Sequence, residues 1–351
     1  MGDTINTTQS LFSIAEGDGP FPRVFGLSGE AKDRAVKHAW DLYNSGVPLF
    51  SLAQLKDVDD QIASHPESVT ITGINGVQYV YGTITPANKD DDKPSHVYAI
   101  FNSIQRLTNS GEPYVSPQML YCPISILATP FRDKAGVEVE DIRAVFTKHW
   151  QAWESSETCR LLEATLASAT LPKSITKIVC FALGPLARLD WGPHRTHTQH
   201  AAALTLVRIL KNRTGHDVQC YSQEPLYTDA CRQILNDNGI TVLDGVKGFI
   251  ELDSSSLVFA VRAGVPVKQI TADVARPAVM IWATVTSPEE ESTVWKEEPY
   301  GTEGATTWVS PYVSDPDSPR VRNMIETEYT HHPFPKDSKH FGDLGIYVRN
   351  Q

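Results

Sequence analysis

The chain has 351 residues, 41% of them hydrophobic and 21% charged, a globular balance that excludes an intrinsically disordered protein. A formal net charge of −11 means that the molecule as a whole is not drawn to nucleic acid, so any contact with RNA has to use a local basic patch. No apolar run reaches the length of a membrane span, MGDTINTTQS lacks the n- and h-regions of a secretion signal, and the five cysteines form no CxxC pair; together these predict a cytoplasmic protein.

Residues 1–23 are polar and Gly/Pro-punctuated and read as a loose arm. Glu30–Asn44 sets Ala35, Ala39, Trp40 and Tyr43 on one face before Gly46, which predicts a helix. Ser51 caps a second helix at Ser51–Ser64. Val69–Ile84 alternates around Asn75-Gly76, a hairpin signal in which both central residues take φ > 0. KDDDK at Lys89–Lys93 reads as a surface loop. Ser95–Leu107 and Gln118–Leu127 fit either helix or strand. Val139–Leu166 repeats at helical spacing, breaks near Glu154–Ser156, and turns Trp150 and Trp153 towards the core.

From Ile178 the pattern changes. The apolar run Ile178–Gly184 is followed by a Gly/Pro/Arg/His loop, a helix at His197–Asn212 and a strand at Asp217–Pro225. A helix at Thr228–Asn236 and strands at Ile240–Leu243 and Gly248–Leu252 come next. Ser254–Val261 reads as a strand buried on both faces, then a short helix after Pro266 and a strand at Val279–Val285 complete the set. This cadence predicts an α/β fold: a Rossmann-like, mainly parallel sheet with flanking helices, plus an N-terminal helix and hairpin region. The predicted organisation is an accessory region at 1–170, the core at 171–286, and an acidic, Pro-rich tail at 287–351 lying on the periphery.

In such sheets ligands bind at the carboxyl ends of the strands. LGPLARLDWGP sets Gly184 and Gly192 too far apart for a dinucleotide fingerprint, and there is no P-loop, so no cofactor is called for. His194, His197 and His200 recur every three residues at a helix entrance, yet no carboxylate or cysteine motif completes a metal site. Glu224, flanked by Tyr227, directly follows a strand and stands at the carboxyl edge, held there by backbone N–H groups or facing a cationic ligand. Asp253 precedes a buried strand, and no nucleophile elbow surrounds Ser255. Asp273 and Arg276, three apart on a short helix, either pair with each other or bind substrate. Arg188, Arg195, Arg208, Lys211 and Arg213 make one stretch locally basic, part solvated helix face and part candidate phosphate contact.

The run KIVCFALG … QHAAALTLVRIL … EPLYTDACRQILNDNGITVL … DSSSLVFAVRAGVPVKQITADVARPAVMIW, about Lys177–Val285, resembles the SRR-type (sensitivity to red light reduced) domain, and more specifically a fungal branch of it. Plant and animal members usually carry Asp-Pro after the second strand, where this chain has Glu224-Pro225. The fungal branch is similar to arginine-containing cyclodipeptide synthases, transferases of secondary-metabolite biosynthesis that join arginine to a second amino acid as a diketopiperazine. The resemblance implies arginyl-tRNA and a second aminoacyl-tRNA as partners, with no DNA and no membrane. An aminoacyl ester is already activated, so such a protein supplies positioning, a base and charge stabilisation. On that reading Glu224, His200 and Asp273 are catalytic; Asp253, Tyr227 and Arg276 bind substrate; Arg188, Arg195 and Lys211 meet the tRNA 3′ end. The alternative is a non-enzymatic regulatory or interaction protein of the same family. A nucleotide- or methyl-donor-dependent Rossmann enzyme ranks below both, because the glycine fingerprint is missing.

Overall fold

The computed structural model describes residues 26–83, 95–109, 115–130, 137–187, 195–290, 294–299 and 306–350. The polar arm, the KDDDK loop, Arg188 and His194 lie outside them. Helices α1 (Gly29–Asn44) and α2 (Leu52–Ala63) come first, and the Ser51 hydroxyl accepts from Gln54 N–H at 3.1 Å to cap α2 as predicted. The antiparallel pair β1 (Ser68–Thr72) and β2 (Gln78–Gly82) is the predicted hairpin with a different turn. Of the two central residues only Gly76 has positive φ, at +77°, and Gly73 N–H donates to the Val77 carbonyl across a longer loop. The two ambiguous stretches each divide between a strand and a helix. β3 (Ser95–Phe101) precedes α3 (Ile104–Thr108), and α4 (Pro117–Tyr121) precedes β4 (Ile124–Pro130), which pairs antiparallel with β3.

Helices α5 (Val139–Glu154) and α6 (Glu157–Ser168) break where the sequence predicts, and Trp153 is buried. Then come β5 (Lys177–Phe181), α7 (Arg195–Thr214), β6 (Gln219–Gln223), α8 (Asp229–Asp237) and β7 (Ile240–Val242). The expected strand at Gly248–Leu252 is instead the short helix α9 (Lys247–Ile250), where Gly248 N–H donates to the Gln223 side chain at 2.7 Å. β8 (Ser256–Ala260), α10 (Val267–Val274) and β9 (Val279–Ala283) follow, then the small antiparallel pair β10 (Lys296–Pro299) and β11 (Thr306–Val309).

The C-terminal segment departs from the expected peripheral tail. After α11 (Pro319–Glu328), β12 (Tyr329–Pro333) and β13 (Leu344–Arg349) join the main sheet. Its order is β12-β13-β9-β8-β5-β6-β7, with the last five strands parallel and β13 antiparallel to both its neighbours. LGIYV of β13 is buried residue by residue, which is why a run flanked by Pro and acidic residues belongs to the core.

Alternate strand residues face two separate apolar layers, as the two-residue period of a strand requires. Ile178, Cys180, Leu257, Phe259, Ile281 and Ile346 pack under α5–α8. Val179, Phe181, Val258, Met280, Trp282 and Tyr347 pack under α9–α11 and the N-terminal elements, with Phe50, Phe101 and Ile71 in the same cluster. The elements up to β4 therefore form the second covering layer of the sheet, while α5 and α6, placed by the expected boundary at 170 in the accessory region, cover the other face. Among the described residues no helix is long and apolar enough to cross a membrane.

Candidate functional site at the carboxyl edge of the sheet

The chain leaves β5 for β6 and β7 on one side, then returns to β8 and β9 on the other. That reversal puts a topological switch point between β5 and β8, with the loops after those strands diverging at their carboxyl ends. Gly184 lies in the loop after β5 at φ +74°, and a Cβ there would come within 2.6 Å of Thr196 Cγ2, so glycine lets the loop pass against the start of α7.

Of the expected site residues, His200, Tyr227 and Glu224 come together at the end of β6, where Tyr227 N–H donates to the Glu224 carbonyl at 3.2 Å, while Asp253, Asp273, Arg276 and Lys211 lie elsewhere. His200 is fully buried on α7. Its Nδ1 lies 2.6 Å from the Thr196 carbonyl oxygen, which can only accept, so Nδ1 carries the proton; its Nε2 then accepts from the Tyr227 hydroxyl, also at 2.6 Å. Tyr227 meets the Ser222 hydroxyl at 2.7 Å. Burial pushes the His200 pKa down to about 4 and the Tyr227 phenol well up, so both are neutral in a closed chain of hydrogen bonds. This pair fastens the first half of α7 to the carboxyl end of β6, and every polar atom of the imidazole is already engaged there.

Glu224 does stand at the carboxyl edge, half-buried, with Oε1 accepting from Leu226 N–H at 3.1 Å. Asp253 lies at the opposite, amino edge, one five-residue strand or roughly 15 Å away. It accepts from Ser255 N–H at 2.7 Å and pairs with Lys177 at 3.0 Å; burial opposes its charge, but these partners outweigh burial and hold its carboxyl below the usual range. Asp273 is in the last turn of α10. Its oxygens accept from Leu49 N–H (2.7 Å), Phe50 N–H (3.1 Å) and Arg320 (2.9 Å), while burial raises its pKa. The Asp273–Arg276 pair considered from sequence does not form. Arg276 instead meets both Glu328 carboxylate oxygens at 3.0 Å. Arg195 and Lys211 sit at opposite ends of α7, roughly 24 Å apart at 1.5 Å per residue. Lys211 pairs with Asp217 at 2.6 Å, so these two cations do not make one phosphate patch. No group of three or more His, Cys, Asp or Glu among the described residues is placed to hold a metal ion.

A different cluster occupies the carboxyl edge. A cavity of about 440 Å³ beyond β9 is lined by Thr284, Glu290, Tyr312, Asp315, Asp317 and Asp343, with Lys268 of α10 at its base. Lys268 pairs through Nζ with Asp317, and its backbone N–H donates to Asp315 at 2.9 Å. The second Asp317 oxygen accepts from Thr286 N–H at 2.8 Å. Gln269 bonds the Pro316 carbonyl (3.1 Å) and Gln105 (2.8 Å), and Gln105 reaches the Asp317 carbonyl. The segment Asp315–Ser318 is thus drawn into the fold between α10 and the N-terminal layer. Burial pushes the Asp315 carboxyl up to about 7, against the pull of Lys268. Among the described lining residues four carboxylates meet one lysine, so acidic groups outnumber basic ones on this wall, and Asp315 is the one pushed up to about 7.

Sequence reasoning passed over this cluster. DPDSP between acidic stretches carries the signature of a surface loop, and only the partner Lys268, on a helix it shares with Val267, Ile270, Ala272 and Val274, hints that a buried charge needs company. No curated protein and no solved structure matches the chain. A family model described as SRR1 domain matches residues 144–348, from α5 through the last strand of the sheet and well beyond the stretch that carries the resemblance in sequence. The chain belongs to the SRR1 domain family.

Proposed function

We propose that the chain is a cytoplasmic enzyme of a fungal SRR1-domain branch that makes an arginine-containing cyclic dipeptide from arginyl-tRNA and a second aminoacyl-tRNA. The observation that supports this reading is the acidic cavity at the carboxyl edge. A guanidinium is a planar cation that pairs with carboxylates in a fork, and Asp343 and Glu290 are exposed carboxylates on its wall. On this reading the carboxylates that meet arginine are Asp343 and Glu290, in place of Glu224, Asp253 and Asp273. Asp315, titrating near 7, takes the proton of the attacking amine.

The arginyl α-nitrogen attacks the ester carbonyl of the second aminoacyl-tRNA. An amide C–N bond forms, the ester C–O bond breaks, and the amine proton passes through the base to the departing ribose oxygen. The amine of the second residue then attacks the arginyl ester in the same way, which closes the ring and frees the second tRNA. The second reading, a regulatory or interaction protein, draws on one observation: His200, Asp253 and Asp273 are each tied into the fold by short hydrogen bonds.

The test is expression of the full chain in a bacterial host, with mass spectrometry for arginine-bearing diketopiperazines. The synthase reading expects a product that disappears when lysate is treated with ribonuclease and falls at least about tenfold in Asp343→Asn, the loss of one charge-assisted contact. Absence of product both in the host and in lysate supplied with arginyl-tRNA favours the regulator.

A further inference from the structure

A second cavity, of about 770 Å³, lies between the N-terminal layer and the loop that follows β8, and reaches Gly264 at the carboxyl edge of that strand. Its volume falls in the range of small-ligand sites, roughly 300–1,000 Å³. In a chain with 42 acidic residues, no Asp or Glu is among the described residues that line it. The charged residue among the described lining is Arg106, which is exposed on α3 and makes no ion pair among the described residues.

Four aromatic side chains, Tyr81, Phe101, Trp295 and Tyr312, are among the described residues that line the cavity. Two of them are set by one amide: Trp295 Nε1–H donates to Asn109 Oδ1 at 2.9 Å, and Asn109 Nδ2–H donates to the Tyr312 hydroxyl at 3.1 Å. Asn109 directly follows α3, so the element that presents the guanidinium also fixes the two rings. At the rim Met119 and Val313 keep 54% and 70% of their surface exposed, apolar area that a flat ring would cover.

We infer that this cavity is a binding site for a small molecule that carries a planar aromatic ring and one anionic group, with the ring against Trp295 and Tyr312 and the anion on Arg106. Guanidinium suits either a phosphate or a carboxylate, since both accept its paired N–H groups. Two sources share that chemistry: a nucleotide, including the terminal adenylate of a charged tRNA, and a free aromatic acid. The inference goes beyond the arginine reading and stands without it. Tyr312 and Val313 line both cavities, so an aromatic anion here would end beside the acidic pocket.

Calorimetric titration of the full chain with AMP, adenosine and phenylpyruvate tests it. AMP or phenylpyruvate binds saturably, and which of the two binds tells the sources apart. Adenosine binds at least about tenfold more weakly than AMP where AMP is the ligand, the loss of a charge-assisted bond. Arg106→Gln, a change at an exposed position, weakens the bound probe by a similar factor, and Asn109→Ala weakens it too by releasing both rings. No saturable binding of either anion, adenosine binding as tightly as AMP, or unaltered binding in Arg106→Gln would overturn the inference. None of these outcomes bears on whether an arginine dipeptide is made, so failure here is distinguishable from failure of the proposed reaction.

Discussion

Replacing Asp315 with Asn should change how the stability of the protein depends on pH, and the direction follows from its burial. Burial lifts the Asp315 carboxyl to about 7, while Lys268 works the other way. In the unfolded chain an aspartate titrates near 3.9, so between about pH 4 and pH 7 the folded chain holds a proton that the unfolded chain has released. The folded state then binds more protons, and stability falls as pH rises through that window. At about 1.4 kcal/mol per pH unit the full difference is at most ~4 kcal/mol, and solvent reaching the pocket lowers it to a few. The charged groups that face Asp315 are Lys268 and Asp317, with Asp343 and Glu290 on the same pocket wall. Asn keeps an acceptor for the Lys268 N–H and does not titrate. Urea unfolding of both proteins at about pH 4.5 and about pH 8 should show the variant gaining on wild type by a few kcal/mol at the higher pH. Parallel pH profiles for the two proteins would refute the reasoning, because Asp315 would then titrate alike in the folded and unfolded chains.

Tyr227→Phe removes the hydroxyl between His200 and Ser222 and should cost about 1–3 kcal/mol in urea unfolding; a cost near zero would contradict the closed hydrogen-bond chain. The His200 pKa is held at about 4, below its ordinary 6.5, so the unfolded chain binds the extra proton between those values. The contribution of neutral His200 is therefore lost as pH falls from about 6.5 towards 4, and His200→Gln should flatten that limb of the stability profile. Arg320 holds the buried Asp273, bonds the carbonyls of Tyr43 and Val47 (the latter at 2.7 Å) and lies 3.9 Å over the Tyr43 ring. Arg320→Gln leaves a buried carboxylate without its cation and should cost about 3–5 kcal/mol, with faster amide exchange at Leu49 and Phe50. Unchanged exchange at those two amides would show that Arg320 does not secure this junction.

The parallel core was legible because its signals are local. SLVFA and IVCF are short apolar runs between polar loops, and QHAAALTLVRIL repeats at helical spacing, so β8, β5 and α7 follow from pattern alone. The hairpin was legible from Asn75-Gly76, though its turn was not, since loop length rather than the dipeptide decides how many residues turn left-handed. Less legible were the last two strands of the sheet: β12 and β13 arrive after a Pro-rich acidic stretch, and the pairing of β13 with β9 is a long-range contact that no window reveals. The site was least legible. Asp253 and Glu224 both sit next to strands, but one precedes and the other follows, which sends them to opposite edges of the sheet. His200 has the composition of a catalytic residue, yet its helix is buried nearly all round, so the same imidazole is a fastening. Asp315 and Asp317 find Lys268 from nearly fifty residues away, and only the folded chain brings that pair of carboxylates to the strand ends.

The most direct measurement is the product assay with purified full chain, arginine-charged tRNA and a mixture of other aminoacyl-tRNAs, read by mass spectrometry. The account predicts an arginine-bearing cyclic dipeptide whose formation needs intact tRNA and falls at least about tenfold in Asp343→Asn, while that variant unfolds in urea at the wild-type midpoint. Arginyl-tRNA that stays charged with no dipeptide formed, or a product made equally well by Asp343→Asn and Glu290→Gln, would contradict an acidic arginine site at the carboxyl edge.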